Sequence, residues 1–397
     1  MFTTLMLLSL VASAGSDADV TAGIVAYEGG DYAGAVAALE EALEDPGQLK
    51  SKNVPRANLY LSRALMQQLT TGDPEAPLRA AQAIIAGRAA DRGRLSDELD
   101  EQAEMVHILL LQGIIGAIRE SDRRTIAALE PWADAAVQLV PDDYLSVDLR
   151  GQMRARLGRV EEAQADYGAA LDLAEAHPPE PPDVLVGYTA FRAATHEVYT
   201  RQDADAALAL IGRGQALVVR ELGRIPEPSA AEQQRHREVS QTLQNLKLDT
   251  LVRFPALHDR ARIELAAAIA QGESYALLVS YAQLMASTDP EVAISSYERA
   301  IATEPGQLVA HFNLGALYAN RAAALLQQAN DVDDYDESRK VEEAGLDAYR
   351  QARPHLERAL AISPTKIEII RALKQIALQL EDMETYQDLR QRETMLQ

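Results

Sequence analysis

Few residues of this chain have the types and spacings that catalysis or metal binding requires. No two histidines are four residues apart as in a helical zinc site, and the sequence contains no His-Glu-x-x-His segment. It also lacks a Gly-x-Ser-x-Gly elbow and a phosphate-binding loop that ends in Gly-Lys-Ser/Thr. The seven histidines are His107, His177, His196, His236, His258, His311 and His355. We expect them to be surface or helix-packing residues, and we predict no catalytic residue, no metal site and no cofactor.

One acidic stretch has part of the spacing of a calcium-binding loop. Asp331, Asp333 and Glu342 match positions one, three and twelve of such a loop. Asp336, however, stands at position six, where the sharp turn needs glycine. The stretch therefore predicts an acidic, mobile loop that keeps its surroundings solvated rather than a calcium site.

The composition narrows the class of protein. Lys and Arg number 38 against 60 Asp and Glu, which gives a formal charge of −22 and opposes binding to nucleic acid or to anionic lipid. The chain has no cysteine, which excludes disulfides, thiolate nucleophiles and cysteine-ligated metals. Hydrophobic residues make up 47% of the chain but aromatic residues only 5%, a balance that favours closely stacked helices over a sheet.

Two ladders of small residues have the same spacing, a step of seven residues followed by a step of five. They are Ala293, Ala300 and Pro305, and then Ala352, Ala359 and Pro364. Alanine permits two helix backbones to approach closely, and proline ends the helix that precedes it. Between the ladders, Leu314, Gly315 and Tyr318 have the spacing of a first helix in a helical hairpin.

These residues resemble the tetratricopeptide repeat family, whose units are pairs of helices about 34 residues long. The resemblance implies an all-α, tetratricopeptide-like helical-hairpin solenoid wound as a right-handed superhelix. The ladders are 59 residues apart, about 25 more than one unit, so we predict an acidic insertion at about 321–347 between the two helices of one repeat.

Weaker copies of the pattern occur elsewhere, at Gly23, Gly30, Ala35 and Ala42 and again at Gly151, Gly158, Ala163, Tyr167 and Ala170. Trp132 follows Pro131, and we expect it to be a packing anchor at a helix start. The predicted organisation is a signal peptide over 1–14, a repeat over 15–50, degenerate helical repeats over 51–140, a repeat over 141–178, helical hairpins over 179–250 after a proline-rich linker, and a C-terminal repeat block over 251–397.

The first fourteen residues predict export. The apolar run from Leu5 to Val11 leads to Ala12-Ser13-Ala14, a signal-peptidase pattern that would make Gly15 the first mature residue. No basic residue precedes Lys50, so the segment lacks the usual positive start. The alternative is an apolar helix packed on the first repeat. We predict a bacterial tetratricopeptide protein that is periplasmic or secreted and does not insert into the membrane after signal removal.

In the family that the chain resembles, the first helix of each repeat lines a concave face that binds peptides. The resemblance transfers this groove to Tyr275, Leu278, Ala282, Met285, Phe312, Asn313, Ala316, Asn320, Arg371, Gln375 and Gln379. These residues could instead be covered by the neighbouring repeat or by the insertion. The predicted function is a non-catalytic scaffold of the cell envelope that binds a protein or peptide.

Two alternatives remain open at this point. One is a helical enzyme or regulatory subunit with a carboxylate-lined pocket in the insertion or in 51–140. The other is a structural protein that assembles through its terminal repeats.

Overall fold

The computed structural model describes residues 16–71, 73–120 and 122–396, and the predicted signal peptide lies outside these ranges. All regular secondary structure in the described ranges is helical. The chain divides into two compact units, of which unit 1 ends at Leu246 and unit 2 begins at Lys247, inside a helix. The predicted all-α fold is confirmed.

Most consecutive helices of unit 1 pack against each other as pairs, and their connections range from two to nine residues. The helices are α1 (Asp17–Glu28), α2 (Tyr32–Leu43), α3 (Asn53–Gln67), α4 (Ala76–Ala90), α5 (Ser96–Glu120), α6 (Arg123–Leu139), α7 (Tyr144–Leu157), α8 (Val160–Ala176), α9 (Val186–His196), α10 (Ala204–Gly223) and α11 (Ala230–Arg253), which runs into unit 2. Short 3₁₀ turns occupy Pro46–Gln48 and Gln68–Thr71, and a π-helical turn over Glu197–Arg201 continues α9.

Unit 2 contains three consecutive hairpins after one single helix. Its helices are α12 (His258–Gln271), α13 (Tyr275–Met285), α14 (Pro290–Thr303), α15 (Leu308–Asn330), α16 (Tyr335–Ile362), α17 (Ile367–Gln379) and α18 (Met383–Leu396), with a 3₁₀ turn at Pro255–Leu257 before α12. The ladder residues Ala293, Ala300, Ala352 and Ala359 have no exposed surface, as close packing between paired helices requires.

The same glycine–leucine contact closes one hairpin in each unit. A Cβ atom added to Gly23 would lie 2.6 Å from Leu39 Cγ, and one added to Gly315 would lie 2.6 Å from Leu356 Cγ. Leu39 follows Gly23 by 16 positions, whereas Leu356 follows Gly315 by 41 positions. The α15–α16 hairpin therefore holds 25 more residues than the α1–α2 hairpin. The segment predicted as an insertion, at about 321–347, lies within this longer hairpin.

The acidic stretch from Asp331 to Glu337, predicted as a loop, lies only partly outside the helices. The 25 residues lengthen α15 and α16 by several turns, and the connection between these helices spans only residues 331–334. Asp334 begins α16 by accepting a hydrogen bond from the Glu337 N–H at 2.8 Å. A Cβ on Gly345 would lie 3.0 Å from Leu326, so the two helices stay in close contact along the extension. Asp331 and Asp333 lie in the connection, whereas Asp336 and Glu337 lie in the first turn of a long helix.

Aspartates begin many of the helices. The side chains of Asp31, Asp122, Asp143, Asp203, Asp289 and Asp334 each accept a backbone N–H from the first turn that follows. The Thr125 N–H lowers the pKa of Asp122 because it stabilises the ionised carboxylate. Part of the strong negative charge of the chain therefore has a structural role at helix N-termini.

Trp132 is a packing anchor, as expected, but it does not lie at a helix start. Pro131 and Trp132 are inside α6, which begins eight residues before Pro131. The indole ring covers Gly113 of α5, where an added Cβ would lie 2.6 Å from Trp132 Cζ3.

Several histidines are packing residues, in agreement with the sequence analysis. His107 hydrogen-bonds with Ser146 Oγ at 2.6 Å, and His311 donates to the Pro305 carbonyl at 3.1 Å. Both imidazoles are buried. Burial and the neighbouring His311 lower the pKa of His355. Across the described ranges, no group of three or more His, Asp or Glu side chains is arranged to hold a metal ion.

Candidate functional site

One groove in unit 2 lies between the first helices of two adjacent hairpins, α13 and α15. We call the surface made by the first helices of the hairpins the first-helix face. The groove has a volume of about 370 Å³, and Tyr297 of α14 lies at its base. Its lining residues are Gln283, Ala286, Tyr297, Asn313, Ala316, Leu317 and Asn320.

Three amide side chains give this groove its chemistry. Asn313 hydrogen-bonds with the hydroxyl of Tyr297, whose ring is 2% exposed. Burial raises the pKa of Tyr297 to about 12, so the phenol is neutral at physiological pH. Gln283 and Asn320 are exposed at the edges of the groove. Each amide carries both donor and acceptor groups, which is the combination that a peptide backbone requires.

The structure brings together the part of the predicted groove that lies on α15. Asn313, Ala316 and Asn320 all line the cavity. Phe312 does not. Its ring is half-buried against the unit 2 core, and Lys366 Nζ lies 4.8 Å from the ring centroid.

The residues predicted on α13 face the wrong way. Leu278 and Ala282 have no exposed surface, and Met285 is 9% exposed, so all three belong to the core and not to a binding surface. Tyr275 is half-buried, and its hydroxyl accepts a hydrogen bond from the Ala310 N–H at 3.1 Å, which links it to the start of α15. The groove is lined instead by Gln283 of α13 and by Ala286, which directly follows the helix; each lies one position beyond a predicted residue.

The residues predicted on α17 do not line this groove. Arg371 donates from Nε to Glu393 Oε1 of α18 at 2.7 Å. Gln375 is exposed and Gln379 is half-buried. Sequence reasoning missed Gln283, Ala286, Tyr297 and Leu317. Tyr297 alone had a signal, because it follows the ladder residue Ala293 by four positions, as Tyr167 follows Ala163.

One cavity in unit 1 bears on the enzyme alternative. It has a volume of about 760 Å³, lies between α4 and α6, and includes the carboxylates of Glu130 and Asp134. Arg159 Nη1 donates to Glu130 Oε2 at 3.1 Å, and Arg150 Nη1 donates to Asp134 Oδ1 at 3.3 Å. Both carboxylates of the cavity are therefore engaged in hydrogen-bonded ion pairs with arginines.

No helix in the described ranges is both long and apolar enough to cross a membrane.

In comparisons with known proteins, this chain is similar to other proteins in its fold only. No protein-family model and no curated protein matches the sequence. Similar solved structures include YrrB, described as a tetratricopeptide protein with an unusual peptide-binding site, at 16% identity over 61% of this chain and 97% of that one, with a TM-score of 0.37. The tetratricopeptide domain of P58(IPK) is 14% identical over 92% of this chain and 98% of that one, with a TM-score of 0.29. The Cut9–Hcn1 complex is 13% identical over 89% of this chain and 74% of that one, with a TM-score of 0.27.

These scores are too low for the binding properties of those proteins to be transferred to this chain. The hairpins themselves define the class. Paired helices close through small residues at repeat positions, which makes the described chain a tetratricopeptide-like helical-repeat protein.

Proposed function

We propose that this protein is a non-catalytic scaffold that binds a partner polypeptide in the amide-lined groove of unit 2. The observation that carries the proposal is the position of Gln283, Asn313 and Asn320 around one cavity on the first-helix face. An extended segment has backbone donors and acceptors on both edges, and amide side chains can pair with both kinds of group. Ala286 and Ala316 leave room for the backbone to approach closely.

The groove proposal predicts a selective loss of affinity when one amide is removed. Peptides selected from a displayed random library on the full chain should bind Asn320→Ala about five- to tenfold more weakly, which corresponds to one hydrogen bond. Asn320 is suitable because it is exposed, so that its truncation leaves no buried group unpaired. The measurement is the Kd of one selected peptide by isothermal titration calorimetry.

The matched control is Asn330→Ala, because Asn330 is an exposed asparagine of the same helix that lies outside the groove. Its Kd should equal that of the unmodified chain. Equal affinity for both variants would show that the groove is not the binding site. A library that yields no binder on a fully helical chain would contradict the scaffold function itself.

We also propose that the scaffold works in a bacterial envelope, as a periplasmic or secreted protein. The support is the apolar run Leu5–Val11 followed by Ala12-Ser13-Ala14. When the full chain is expressed in a bacterium with two membranes, we expect the mature protein in the periplasmic or extracellular fraction to begin at Gly15. Intact-mass spectrometry of each fraction checks this, and an uncleaved chain in the cytoplasm would refute it.

A further inference from the structure

A second pocket in unit 1 occupies the repeat position that corresponds to the groove of unit 2. Ala163, Tyr167 and Ala170 of α8 have the spacing and burial of Ala293, Tyr297 and Ala300 of α14. Tyr167 is 6% exposed and forms part of the pocket, as Tyr297 does in its groove. Helices α7 and α9 stand where α13 and α15 stand in unit 2. The pocket therefore lies on the first-helix face of unit 1.

The chemistry of this pocket differs from that of the amide-lined groove. Its volume is about 300 Å³, and much of its wall is apolar or aromatic. The apolar and aromatic lining residues are Ala155, Val160, Ala163, Tyr167, Phe191 and Tyr199. Val160 is 41% exposed and Tyr199 is 50% exposed, so two large side chains at the pocket still have surface for a ligand to cover. A space of this size with such a wall suits one bulky side chain.

The pocket offers no uncompensated charge. Arg192 lines it, but its Nη1 donates to Asp148 Oδ1 at 2.9 Å. Asp148 is 3% exposed, so the ion pair is held within the protein. The charge of the lining arginine is therefore already paired, and an anionic ligand gains little from it, so we favour a neutral group.

Two polar side chains of the wall have unused hydrogen-bonding capacity. Gln164 donates from Nε2 to the Ala193 carbonyl at 3.2 Å and to Glu197 Oε1 at 3.0 Å, which leaves its Oε1 as an acceptor. Within the described part of the chain, Gln164 Oε1 and His196 Nε2 are buried and have no hydrogen-bond partner. A buried acceptor without a donor is costly, and a ligand N–H or O–H would relieve that cost after a small rotation of the amide.

The backbone at the pocket is irregular as well. The π-helical turn Glu197–Arg201 carries Tyr199 and Thr200, which line the pocket next to Thr195 and His196 of α9. Such turns occur often at functional sites because they change where side chains point.

We propose that this pocket binds an aromatic side chain with an N–H or O–H donor, an indole or a phenol, presented by a partner polypeptide. The ring would pack against Phe191, Tyr167 and Val160, and its donor would reach Gln164 Oε1. The inference rests on the proposed scaffold function but uses a different unit and different residues. The amide-lined groove would hold backbone, whereas this pocket would hold one anchoring side chain.

The test uses N-acetyl-5-fluorotryptophanamide and the full chain, with the Kd taken from ¹⁹F line broadening. Ala155→Trp fills the pocket from α7 and should weaken binding at least about tenfold, because the indole loses the space that it would occupy. The control Ala165→Trp adds the same ring to an exposed site of α8 outside the pocket and should leave the Kd unchanged. The N1-methylated probe, which lacks the donor, should bind about three- to tenfold more weakly than the parent.

Several outcomes would overturn the proposal. They are the absence of broadening with the unmodified chain, equal weakening by both tryptophan substitutions, and equal affinity for the parent and methylated probes. If Ala155→Trp loses helicity by circular dichroism, Val160→Lys replaces it, because it places a charge at an exposed rim residue. Asn320→Ala should leave probe binding unchanged, so a failure of this pocket can be distinguished from a failure of the unit 2 groove.

Discussion

Replacing Glu221 with alanine is expected to lower the free energy of unfolding of unit 1 by about 3–5 kcal/mol, the usual cost of breaking a buried ion pair. The Glu221 side chain is fully buried in α10. Its carboxylate accepts hydrogen bonds from Arg220 Nε at 2.7 Å and from Arg224 Nη1 at 2.6 Å. The same arginines donate to the carbonyls of Ala174 at 2.6 Å and of Pro179 at 2.9 Å. The carboxylate thus fixes two cations that hold the end of α8 and the proline-rich segment after it.

The measurement is urea unfolding of the full chain, with hydrogen exchange of the α10 amides as the readout specific to unit 1. The control is Glu227→Ala, which removes an exposed carboxylate six residues later and should change stability by less than about 0.5 kcal/mol. If Glu221→Ala cost less than about 1 kcal/mol, the arginines would be adequately solvated without their partner, and the carboxylate would not be the centre of this cluster.

Replacing Gly187 with alanine should have the second-largest effect, a loss of about 2–3 kcal/mol from unit 1. A Cβ at this position would lie 2.5 Å from Val218 Cγ2 and 2.5 Å from Val239 Cγ1. Both valines are fully buried, and their branched side chains have few alternative rotamers. Helices α9, α10 and α11 would therefore have to separate.

The same substitution at Gly212 of α10 provides the control. A Cβ there would meet no atom within 4 Å, so Gly212→Ala should stabilise unit 1 by about 0.5–1 kcal/mol through better helix propensity. Thermal unfolding monitored by circular dichroism compares the two variants. Effects of the same sign would mean that helix propensity, and not close packing, determines the response.

The sequence predicted the hairpins well because close packing restricts residue type strongly. A Cβ at Gly23 or Gly315 would meet Leu39 or Leu356 of the partner helix, so small residues recur at these positions, and their spacing together with the family resemblance indicated the hairpins. The helicity of the insertion was not predictable from its acidity. Asp336 and Glu337 look like loop residues, yet they lie in the first turn of α16, where the helix dipole favours negative charge.

Three of the residues predicted on α15 line the cavity, whereas three of those predicted on α13 are buried in the core, for a physical reason. Asn313 and Asn320 form a polar stripe on an otherwise apolar part of α15. This stripe indicates which side of the helix is exposed. Helix α13 has the sequence YALLVSYAQLM and is apolar on nearly every side. From the sequence alone, the face through Leu278 and the face through Gln283 are therefore equally plausible as the exposed face of the helix. An error of one residue turns a helix by about 100° and exchanges the core face for the binding face.

The long α15–α16 hairpin shows how such a protein can grow without disturbing its neighbours. A helical segment inserted between two hairpins would change the distance between those hairpins. When both helices of one hairpin gain the same number of turns, the second helix runs back along the first. The chain then reaches the next hairpin from the same place as before. The second crossing at Gly345 and Leu326 keeps the added turns paired with each other. The extension is thus an arm of two paired helix segments that pack against each other.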